Sequence, residues 1–340
     1  MSVLHTYTSY GRRAGSARVR VFDWLDRVDV PAVTHSYLDG ASNSGRSLLT
    51  SPRRLLTAEV KLRGTPSGDA RVLISRQASP LSRGGVERRL LQGARVGVYD
   101  FDDALYLDRR GPFPKASIWR AAVTAADVVI AGNATLAEEA GRINRNVTVI
   151  PSCVDPAQYT RKTGFDIGAT PRAVWIGSPA TEHYLRDIES ALVRAHAETG
   201  MRLTVISAGE AELGPLDAMV DRVAWSPQTF GAALADADLG LMPTPDSAWA
   251  RGKCGYKLLQ YGAAGLPMMG DPVGVNAEIL RRGDGLAPQS TAEWADALVG
   301  FFSESTKRRR ERGEAGHSAV RDHYSFSAWA PAWRQAVTGV

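Results

Sequence analysis

Short runs of apolar residues alternate with segments of helical periodicity along most of the chain. In the first half, Val72–Ile74, Val96–Val98 and Val147–Ile150 each end in polar residues. In the second half, Ala173–Ile176 and Leu239–Met242 are followed in the same way. Continuous apolar runs of this length are typical of strands buried on both faces of a parallel sheet. The pattern therefore predicts an α/β protein, and no repeat of fixed period interrupts it.

The segment Arg251–Glu278 carries the clearest candidate chemistry. A glycine turn, Arg251–Gly255, precedes an apolar helical run that Gly265 and Pro267 end. A helix start presents backbone N–H groups and positive dipole charge, and glycine lets a phosphate approach the backbone. Lys253 and Lys257 are four positions apart, so on one helical turn both ammonium groups would flank the same diphosphate. The alternative interpretation is a surface helix with two solvated lysines.

This segment resembles the donor site of family 4 glycosyltransferases, which have the GT-B fold. Members carry a helix of the type Lys-Leu-Leu-Glu-Tyr-Met-Ala-Ala-Gly-Leu-Pro, which matches 257–267, followed by a glycine loop ending in Glu, which matches 273–278. The family has two glutamates with seven residues between them, and the corresponding residues here are Gly252 and Gln260. The resemblance implies that Gln260 bonds the nucleotide ribose, since an amide both donates and accepts. Gly252 has no side chain for the family's contact to the donor sugar.

Other motifs resemble a subgroup of the same family in the required order. They are Asp-Phe-Asp-Asp-Ala at 100–104, Gly-Asn at 132–133, and Pro-x-x-Val-Asp at 151–155. The resemblance implies two Rossmann-like domains whose parallel sheets face each other across a cleft. The predicted acceptor-side domain is 1–155, with the terminal helix of 327–340 packing back onto it, and the predicted nucleotide-sugar domain is 156–326.

The candidate site residues follow from these matches. Strand ends and turns of the second half predict the donor-binding set, which is Ser178, Thr181, Trp225, Ser226, Lys253, Gly255, Tyr256, Gln260, Val275 and Asn276. The candidate catalytic residues are Asp102, Asp103 and Lys257, and the candidate acceptor-side residues are Arg18 and Arg76.

Two carboxylates at the end of one predicted strand allow several interpretations. Asp102 and Asp103 at the mouth of the cleft would orient or deprotonate the acceptor hydroxyl, or stabilise positive charge on the sugar. Asp100-Phe101-Asp102 also has the Asp-x-Asp form with which GT-A glycosyltransferases hold a metal. Because the nucleotide signature lies after residue 170, we predict no metal. We also expect at least one of the three carboxylates to cap the following helix.

Charge is divided unevenly between the two halves. Residues 1–155 hold 22 Lys and Arg against 15 Asp and Glu, whereas 156–340 hold 19 against 21. Arg18 and Arg20 fall in a predicted loop before a helix at 21–25, where they would touch donor phosphates or an anionic acceptor, unless the loop is simply solvated. Basic pairs such as Arg53-Arg54 favour contact with anionic lipid surfaces. The alternating charges of 307–314 predict a salt-bridged helix face and no nucleic-acid partner.

The remaining composition bears on cellular location and on disulfide and metal sites. No signal-peptide core or membrane-length apolar run is present in the sequence, so we expect a cytoplasmic protein. Two cysteines and six histidines show no paired ligand spacing, so neither a disulfide framework nor a zinc site is predicted. The Ser- and Gly-rich residues 40–52 predict a loop.

The resulting hypothesis is a glycosyltransferase without a cofactor. It would move a sugar from a UDP- or GDP-sugar to a hydroxyl acceptor, which is a glycan, a lipid-linked molecule or a small natural product. The resemblance implies retention of anomeric configuration and independence of metal. The alternatives are a catalytically silent GT-B subunit of a paired transferase and a sugar-nucleotide hydrolase or epimerase.

Overall fold

The computed structural model describes residues 3–38, 52–64, 68–226 and 228–339. The chain divides into two compact units: the first comprises 1–152, 252–254 and 329–340, and the second comprises 153–251 and 255–328. The predicted boundaries follow residues 155 and 326, and the prediction does not include 252–254 in the first unit. The predicted loop at 40–52 lies almost entirely outside the described residues.

The first unit is built on a six-stranded parallel sheet with the order β2-β1-β3-β4-β5-β6. Its strands are β1 (Leu4–Thr8), β2 (Ala32–Ser36), β3 (Gly68–Ser75), β4 (Ala94–Phe101), β5 (Val128–Ala131) and β6 (Val147–Val149). The register pairs Ser75 of β3 with Asp100 of β4. All carboxyl ends of a parallel sheet lie at one edge, so residues that follow neighbouring strands come close together.

Helices connect these strands. They are α1 (Gly15–Ala17), which continues through a π-helical turn (Arg18–Phe22) into α2 (Asp23–Leu25), then α3 (Pro52–Arg63), α4 (Gly85–Gln92), α5 (Lys115–Ala125) and α6 (Ala134–Gly141). The Asn133 side chain caps α6 by accepting the Leu136 N–H at 2.9 Å.

The predicted arginine loop is wrong at Arg18 and Arg20, because the helical stretch begins at Gly15 and includes both residues. Arg20 is 1% exposed and pairs with Asp100, whose side chain is equally buried. A guanidinium in this position is a structural ion pair and is not available to a phosphate. Arg18 stays half-buried beside Asp23, with 3.9 Å between Nε and Oδ2.

The second unit contains a five-stranded parallel sheet with the order β11-β10-β7-β8-β9. Its strands are β7 (Arg172–Ile176), β8 (Arg202–Ser207), β9 (Val220–Ala224), β10 (Leu239–Met242) and β11 (Met268–Gly270). The apolar runs predicted at 173–176 and 239–242 are strands, and their side chains are almost fully buried. Clusters of buried apolar side chains line this sheet, and Trp175 belongs to one of them.

Nine α-helices of the described chain follow β6. They are α7 (Tyr184–Asp187), α8 (Glu189–Thr199), α9 (Phe230–Ala235), α10 (Ala248–Arg251), α11 (Tyr256–Ala263), α12 (Val275–Arg282), α13 (Thr291–Ser303), α14 (Thr306–His323) and α15 (Phe326–Thr338). Ser290 and Ser305 cap α13 and α14 through their side-chain oxygens. In the first unit, Trp333 of α15 stacks on Trp24 with 5.3 Å between ring centroids. None of the helices in the described part of the chain is long and apolar enough to cross a membrane.

Candidate functional site

In the first unit, the ends of β3 and β4 bring together an ion cluster, which we call the carboxylate cluster and define as Arg76, Asp102, Asp103 and Lys253. One Arg76 nitrogen, Nη1, lies 3.2 Å from Oδ1 of Asp102 and 2.7 Å from Oδ2 of Asp103. The Lys253 Nζ lies 3.1 Å from Oδ1 of Asp103. Two carboxylates and two cations therefore share one small polar region at the carboxyl edge of the sheet.

Arg76 sits in an unusual backbone conformation that aims it at this cluster. Its φ is 64°, in the left-handed region that residues with a Cβ rarely adopt. Two hydrogen bonds hold it there: its N–H donates to Asp100 O at 2.8 Å, and the Tyr99 hydroxyl donates to Arg76 O at 2.9 Å. Such strain is common at functional positions, where surrounding structure must fix the backbone.

The two carboxylates have opposite acid–base tendencies. Burial raises the pKa of Asp102, because the low-dielectric surroundings disfavour its charge more than Arg76 favours it. Burial acts in the same direction on Asp103, but Arg76 and Lys253 outweigh it and hold the pKa of Asp103 below its usual range. The two groups titrate as a pair. Such a pair is suited to two different roles. Asp102, which protonates more readily, suits acid–base chemistry, and the ionised Asp103 suits electrostatic stabilisation.

Residues 252–254 are fixed to the first unit by packing and hydrogen bonding. A Cβ on Gly252 would lie 2.7 Å from the Ala104 Cβ and 3.2 Å from Cδ2 of Leu136. The Asn133 side-chain amide donates to Lys253 O at 2.9 Å. Lys253 therefore stands outside helix α11, and the prediction that Lys253 and Lys257 lie on one helical turn is wrong.

In the second unit, α11 begins at a glycine in the left-handed conformation. Gly255 has a φ of 64° and precedes Tyr256, the first helical residue. A Cβ at Gly255 would lie 3.0 Å from Oδ1 of Asn276 and 3.4 Å from Cγ1 of Val275, so the start of α12 packs closely against this turn. The first N–H groups of a helix have no acceptor within it, and they carry partial positive charge.

One side chain of α11, that of Lys257, lies near the end of β7. The Lys257 Nζ is 5.1 Å from the centroid of the Trp175 ring, above its face. Gln260, one turn beyond Tyr256, is buried within the helix packing. Next to it, the Tyr261 hydroxyl donates to Leu241 O at 2.8 Å, which fixes the helix against β10.

No protein-family model and no curated protein sequence matches the chain. Solved structures do match: sucrose-phosphate synthase from Thermosynechococcus elongatus has 14% identity and a TM-score of 0.67 over 98% of both chains. Anabaena HepE in complex with UDP and glucose has 13% identity and a TM-score of 0.69 over 100% of both chains. An α,α-trehalose-phosphate synthase (UDP-forming) from Burkholderia vietnamiensis has 12% identity and a TM-score of 0.65, also over 100% of both chains.

The chain has the GT-B fold. This confirms the predicted α/β class with two parallel sheets. At 11–14% identity such likeness establishes the fold alone, so the roles of individual residues depend on the geometry of this chain.

The other predicted donor-binding residues of this GT-B chain lie at strand ends of the second unit. Ser178 is exposed directly after β7, and its carbonyl oxygen accepts the Thr181 hydroxyl at 3.1 Å. Trp225 follows β9, is 39% exposed and stacks on Phe230 with 6.2 Å between centroids. The Ser226 hydroxyl lies 2.7 Å from the Thr229 hydroxyl. Polar groups therefore follow both β7 and β9, as the sequence predicts.

Val275 and Asn276 do not lie in a turn, because α12 already begins at Val275. Asn276 is 2% exposed, and its amide donates to Asp271 O at 3.2 Å and to the Thr244 hydroxyl at 3.4 Å. The Asn276 amide therefore orders the loops after β10 and β11. The side-chain oxygen of Asn276, Oδ1, faces the turn at Gly255, where an added Cβ would lie 3.0 Å from it.

Sequence analysis missed Asp271, which holds two loops of the second unit in place. Its carboxylate accepts the Thr244 N–H at 2.7 Å and the Trp294 Nε1–H at 2.9 Å. Burial raises the pKa of Asp271, and these two donors oppose that shift. Its position directly after β11 is the signal that identifies it, because side chains that follow neighbouring parallel strands meet at one sheet edge.

The predicted helix cap by a carboxylate of 100–103 is wrong. The short 3-10 helix Leu105–Leu107 has no side-chain cap, and the Leu105 N–H donates to the backbone oxygen of Asp103. The side chains of Asp102 and Asp103 are engaged by cations instead. Within the described ranges, no three His, Cys, Asp or Glu side chains form a group that could hold a metal ion.

Proposed function

We propose that this GT-B protein is a glycosyltransferase that moves a sugar from a nucleoside diphosphate sugar to a hydroxyl acceptor. The observation that carries the proposal is the start of α11. A left-handed Gly255, the first N–H groups of the helix and Lys257 lie at the carboxyl edge of a parallel sheet, where open α/β sheets bind ligands. Helix starts of this kind stabilise phosphate charge.

The structural neighbour HepE binds UDP and glucose, and it has the same fold over its whole length. This supports a UDP-sugar as the donor class for the present chain, with a GDP-sugar as the alternative. The buried amide of Gln260 is the proposed partner of the ribose hydroxyls. The exposed Trp225 and Ser226 are the proposed neighbours of the base.

We assign the chemical step to charge stabilisation at the leaving group and to the carboxylate cluster. Lys257 and the helix start would take up charge on the departing diphosphate, and one preorganised contact of this kind commonly supplies about 3 kcal/mol. Asp102 and Asp103 would orient the acceptor hydroxyl or stabilise the positively charged sugar ring. Because Arg76 and Lys253 already engage both carboxylates, we propose that the reaction is independent of metal. Retention of anomeric configuration follows from the resemblance of 257–278 to family 4.

The packing around Gly252 favours one alternative, a GT-B subunit that binds a partner without turning over substrate. The family's first glutamate cannot occupy this position, because its Cβ would lie 2.7 Å from the Ala104 Cβ. An enzyme of this type must contact the donor sugar through other groups. Within the first unit, we propose the carboxylate cluster for this contact, because its member Lys253 directly follows Gly252 in the chain.

Calorimetric titration with UDP and GDP in the presence of EDTA tests the proposal. An enzyme binds at least one of the two nucleotides under these conditions, whereas a partner-only module binds neither. Incubation with UDP- and GDP-sugars without acceptor then reveals a hydrolase or epimerase by its products. Absence of nucleotide binding with the protein folded would refute the transferase assignment.

A further inference from the structure

The side chain of Lys257 lies on the face of a fully buried tryptophan. The distance from Nζ to the Trp175 ring centroid is 5.1 Å, and Trp175 is 0% exposed. A cation over the face of an indole is attracted by the ring quadrupole, and tryptophan is the best of the aromatic side chains in this role. The contact holds the ammonium end of the lysine side chain, whose four rotatable bonds would otherwise leave it free to move.

Gly177 completes the arrangement at the end of β7. A Cβ on this residue would lie 2.4 Å from Cη2 and 2.6 Å from Cζ2 of Trp175, and 2.8 Å from Cε of Lys257. The edge of the indole and the stem of the lysine therefore fill the space that any side chain at 177 would need. Trp175, Gly177 and Lys257 form one interlocked unit.

Trp175 carries a polar group that core packing does not require. Its Nε1–H is buried and has no hydrogen-bond acceptor among the described residues. An unsatisfied buried donor is unfavourable, and phenylalanine or leucine would fill an apolar site without one. The indole face lies against Lys257 and attracts its positive charge. Phenylalanine would attract this charge more weakly, and leucine has no aromatic face.

We propose that Trp175 is a positioning residue that holds the Lys257 ammonium at the end of β7 for the donor diphosphate. The inference rests on the proposed function, because Trp175 acts through Lys257 and does not touch the substrate. The segment 177–185, which leads from the end of β7 into α7, contains no lysine or arginine. Placement of Lys257 beside Gly177 thus supplies the positive charge that this segment lacks in its own sequence.

Nucleotide affinity in a double-mutant cycle tests this coupling. We expect Trp175→Leu to weaken UDP binding about fivefold to tenfold, and Trp175→Phe to retain most of the affinity because it keeps an aromatic face. Lys257→Met should weaken binding at least as much as Trp175→Leu. The double variant should bind no more than about twofold more weakly than Lys257→Met alone, since the tryptophan has then lost the group it positions. Additive losses would show that Trp175 acts independently of Lys257.

Phe301→Leu is the matched control for loss of aromatic packing. Phe301 is 1% exposed and belongs to the same buried cluster as Trp175. It should lower the thermal unfolding midpoint to a similar degree and leave UDP affinity unchanged. If Phe301→Leu lost as much UDP affinity as Trp175→Leu, general destabilisation would explain both losses and the inference would be overturned.

Acetylation of lysines by acetic anhydride, followed by mass spectrometry, tests the placement of Lys257 without any nucleotide. Relative to Lys307, whose side chain is 87% exposed, Lys257 should react several-fold faster in Trp175→Leu and near the wild-type rate in Trp175→Phe. Unchanged reactivity in Trp175→Leu would overturn the inference. If the wild-type protein binds neither UDP nor GDP but this rate rises, the positioning of Lys257 stands and the proposed function fails.

Discussion

Arg20 and Asp100, 80 positions apart in the chain, form an ion pair with both side chains only 1% exposed. Nη2 of the arginine lies 2.5 Å from Oδ2 of the aspartate, and Nε lies 3.1 Å from Oδ1. The Ser75 hydroxyl donates to the same carboxylate at 3.2 Å, and Nη1 of Arg20 donates to Ile150 O at 2.9 Å. The pair links the π-helical turn to β3, β4 and the end of β6.

Removal of one partner of this pair should destabilise the protein strongly. Arg20→Met leaves the Asp100 carboxylate buried without its cation, which typically costs about 3–5 kcal/mol. The double variant Arg20→Met with Asp100→Leu should be less destabilised than Arg20→Met, because neither charge remains buried. Urea unfolding measures both. Arg12→Met, which breaks a bidentate but exposed pair with Asp26, serves as the control and should cost less than about 1 kcal/mol. Equal costs for Arg20→Met and Arg12→Met would contradict this account.

The strands and helix α11 can be predicted from the sequence, whereas the ion pair of Arg20 cannot. The strands were predictable because residues buried on both faces of a parallel sheet form continuous apolar runs, as at 173–176. Helix α11 was predictable because Gly255 and Gly265 bound one apolar periodic run. The pairing of Arg20 with Asp100 was not, because the aspartate lies on a strand 80 residues away. A buried arginine has the same sequence appearance as a solvated one.

Lys257→Ala should lower kcat at least about tenfold while the fold is retained. Its ammonium is proposed to stabilise the departing diphosphate, and that contact strengthens in the transition state. Steady-state kinetics with the donor that binds in calorimetry measures the effect. Lys307→Ala, at a highly exposed position on α14, is the control for loss of one positive charge. Near-normal turnover of Lys257→Ala would remove this lysine from the site.

Asp102 and Asp103 should contribute differently to the pH profile of kcat/KM. Burial raises the pKa of Asp102, so its protonation should produce a fall in activity on acidification that begins above the usual aspartate range. Asp103 remains ionised over this interval, because Arg76 and Lys253 hold its pKa below that range. Asp102→Asn should therefore flatten the acid limb. Asp103→Asn should lower kcat about tenfold or more and move the limb to lower pH, because the charge of Asp103 contributes to the raised pKa of Asp102.

The control for these variants is Asp108→Asn, which removes a carboxylate that pairs with Lys115 near the surface. It should retain both the rate and the pH profile of the wild-type protein. An unchanged acid limb in Asp102→Asn would assign the limb to a different group.

The assignment of 252–254 to the first unit was the least predictable feature of the candidate site. In the sequence, Arg251–Gly255 has the pattern of one glycine turn, because glycines three positions apart indicate a turn but do not reveal its neighbours. The structure shows three separate environments within it. Arg251 pairs with Asp246 at an exposed position, Lys253 pairs with Asp103, and Gly255 starts α11. Only long-range packing distinguishes them.

A glutamate at position 252, as in the family that this segment resembles, should impair the protein. A Cβ there would lie 2.7 Å from the Ala104 Cβ and 3.1 Å from the Ala104 N, so even Gly252→Ala should cost about 1–3 kcal/mol. Gly252→Glu should lower both the thermal unfolding midpoint and turnover. Gly141→Ala is the matched control, because a Cβ at this helical position meets no atom within 4 Å. It should leave stability unchanged or raise it by up to about 1 kcal/mol. A gain of activity in Gly252→Glu would show that the loop can repack to accept the carboxylate.

The stacked pair His5 and His35 should make the stability of the first unit sensitive to mildly acidic pH. Their ring nitrogens Nδ1 and Nε2 lie 3.1 Å apart, and His35 stacks on Tyr7 with 4.5 Å between centroids. Burial lowers the pKa of both histidines, and the charges of His5 and Lys61 lower that of His35 further. The folded state therefore binds protons less readily than the unfolded state, so stability is complete above the unfolded pKa of about 6.5 and declines as pH falls below it.

His35→Phe keeps an aromatic ring on Tyr7 and removes one of the two titrating groups. The loss of stability between pH 7 and pH 5, followed by thermal unfolding monitored by circular dichroism, should be smaller in this variant than in the wild-type protein. The exposed His183, changed to phenylalanine, controls for the exchange itself. If His35→Phe loses as much stability over this interval as the wild-type protein, the acid sensitivity arises elsewhere in the chain. A smaller loss assigns part of it to the edge of the sheet formed by β1 and β2, where the register places Tyr7 opposite His35.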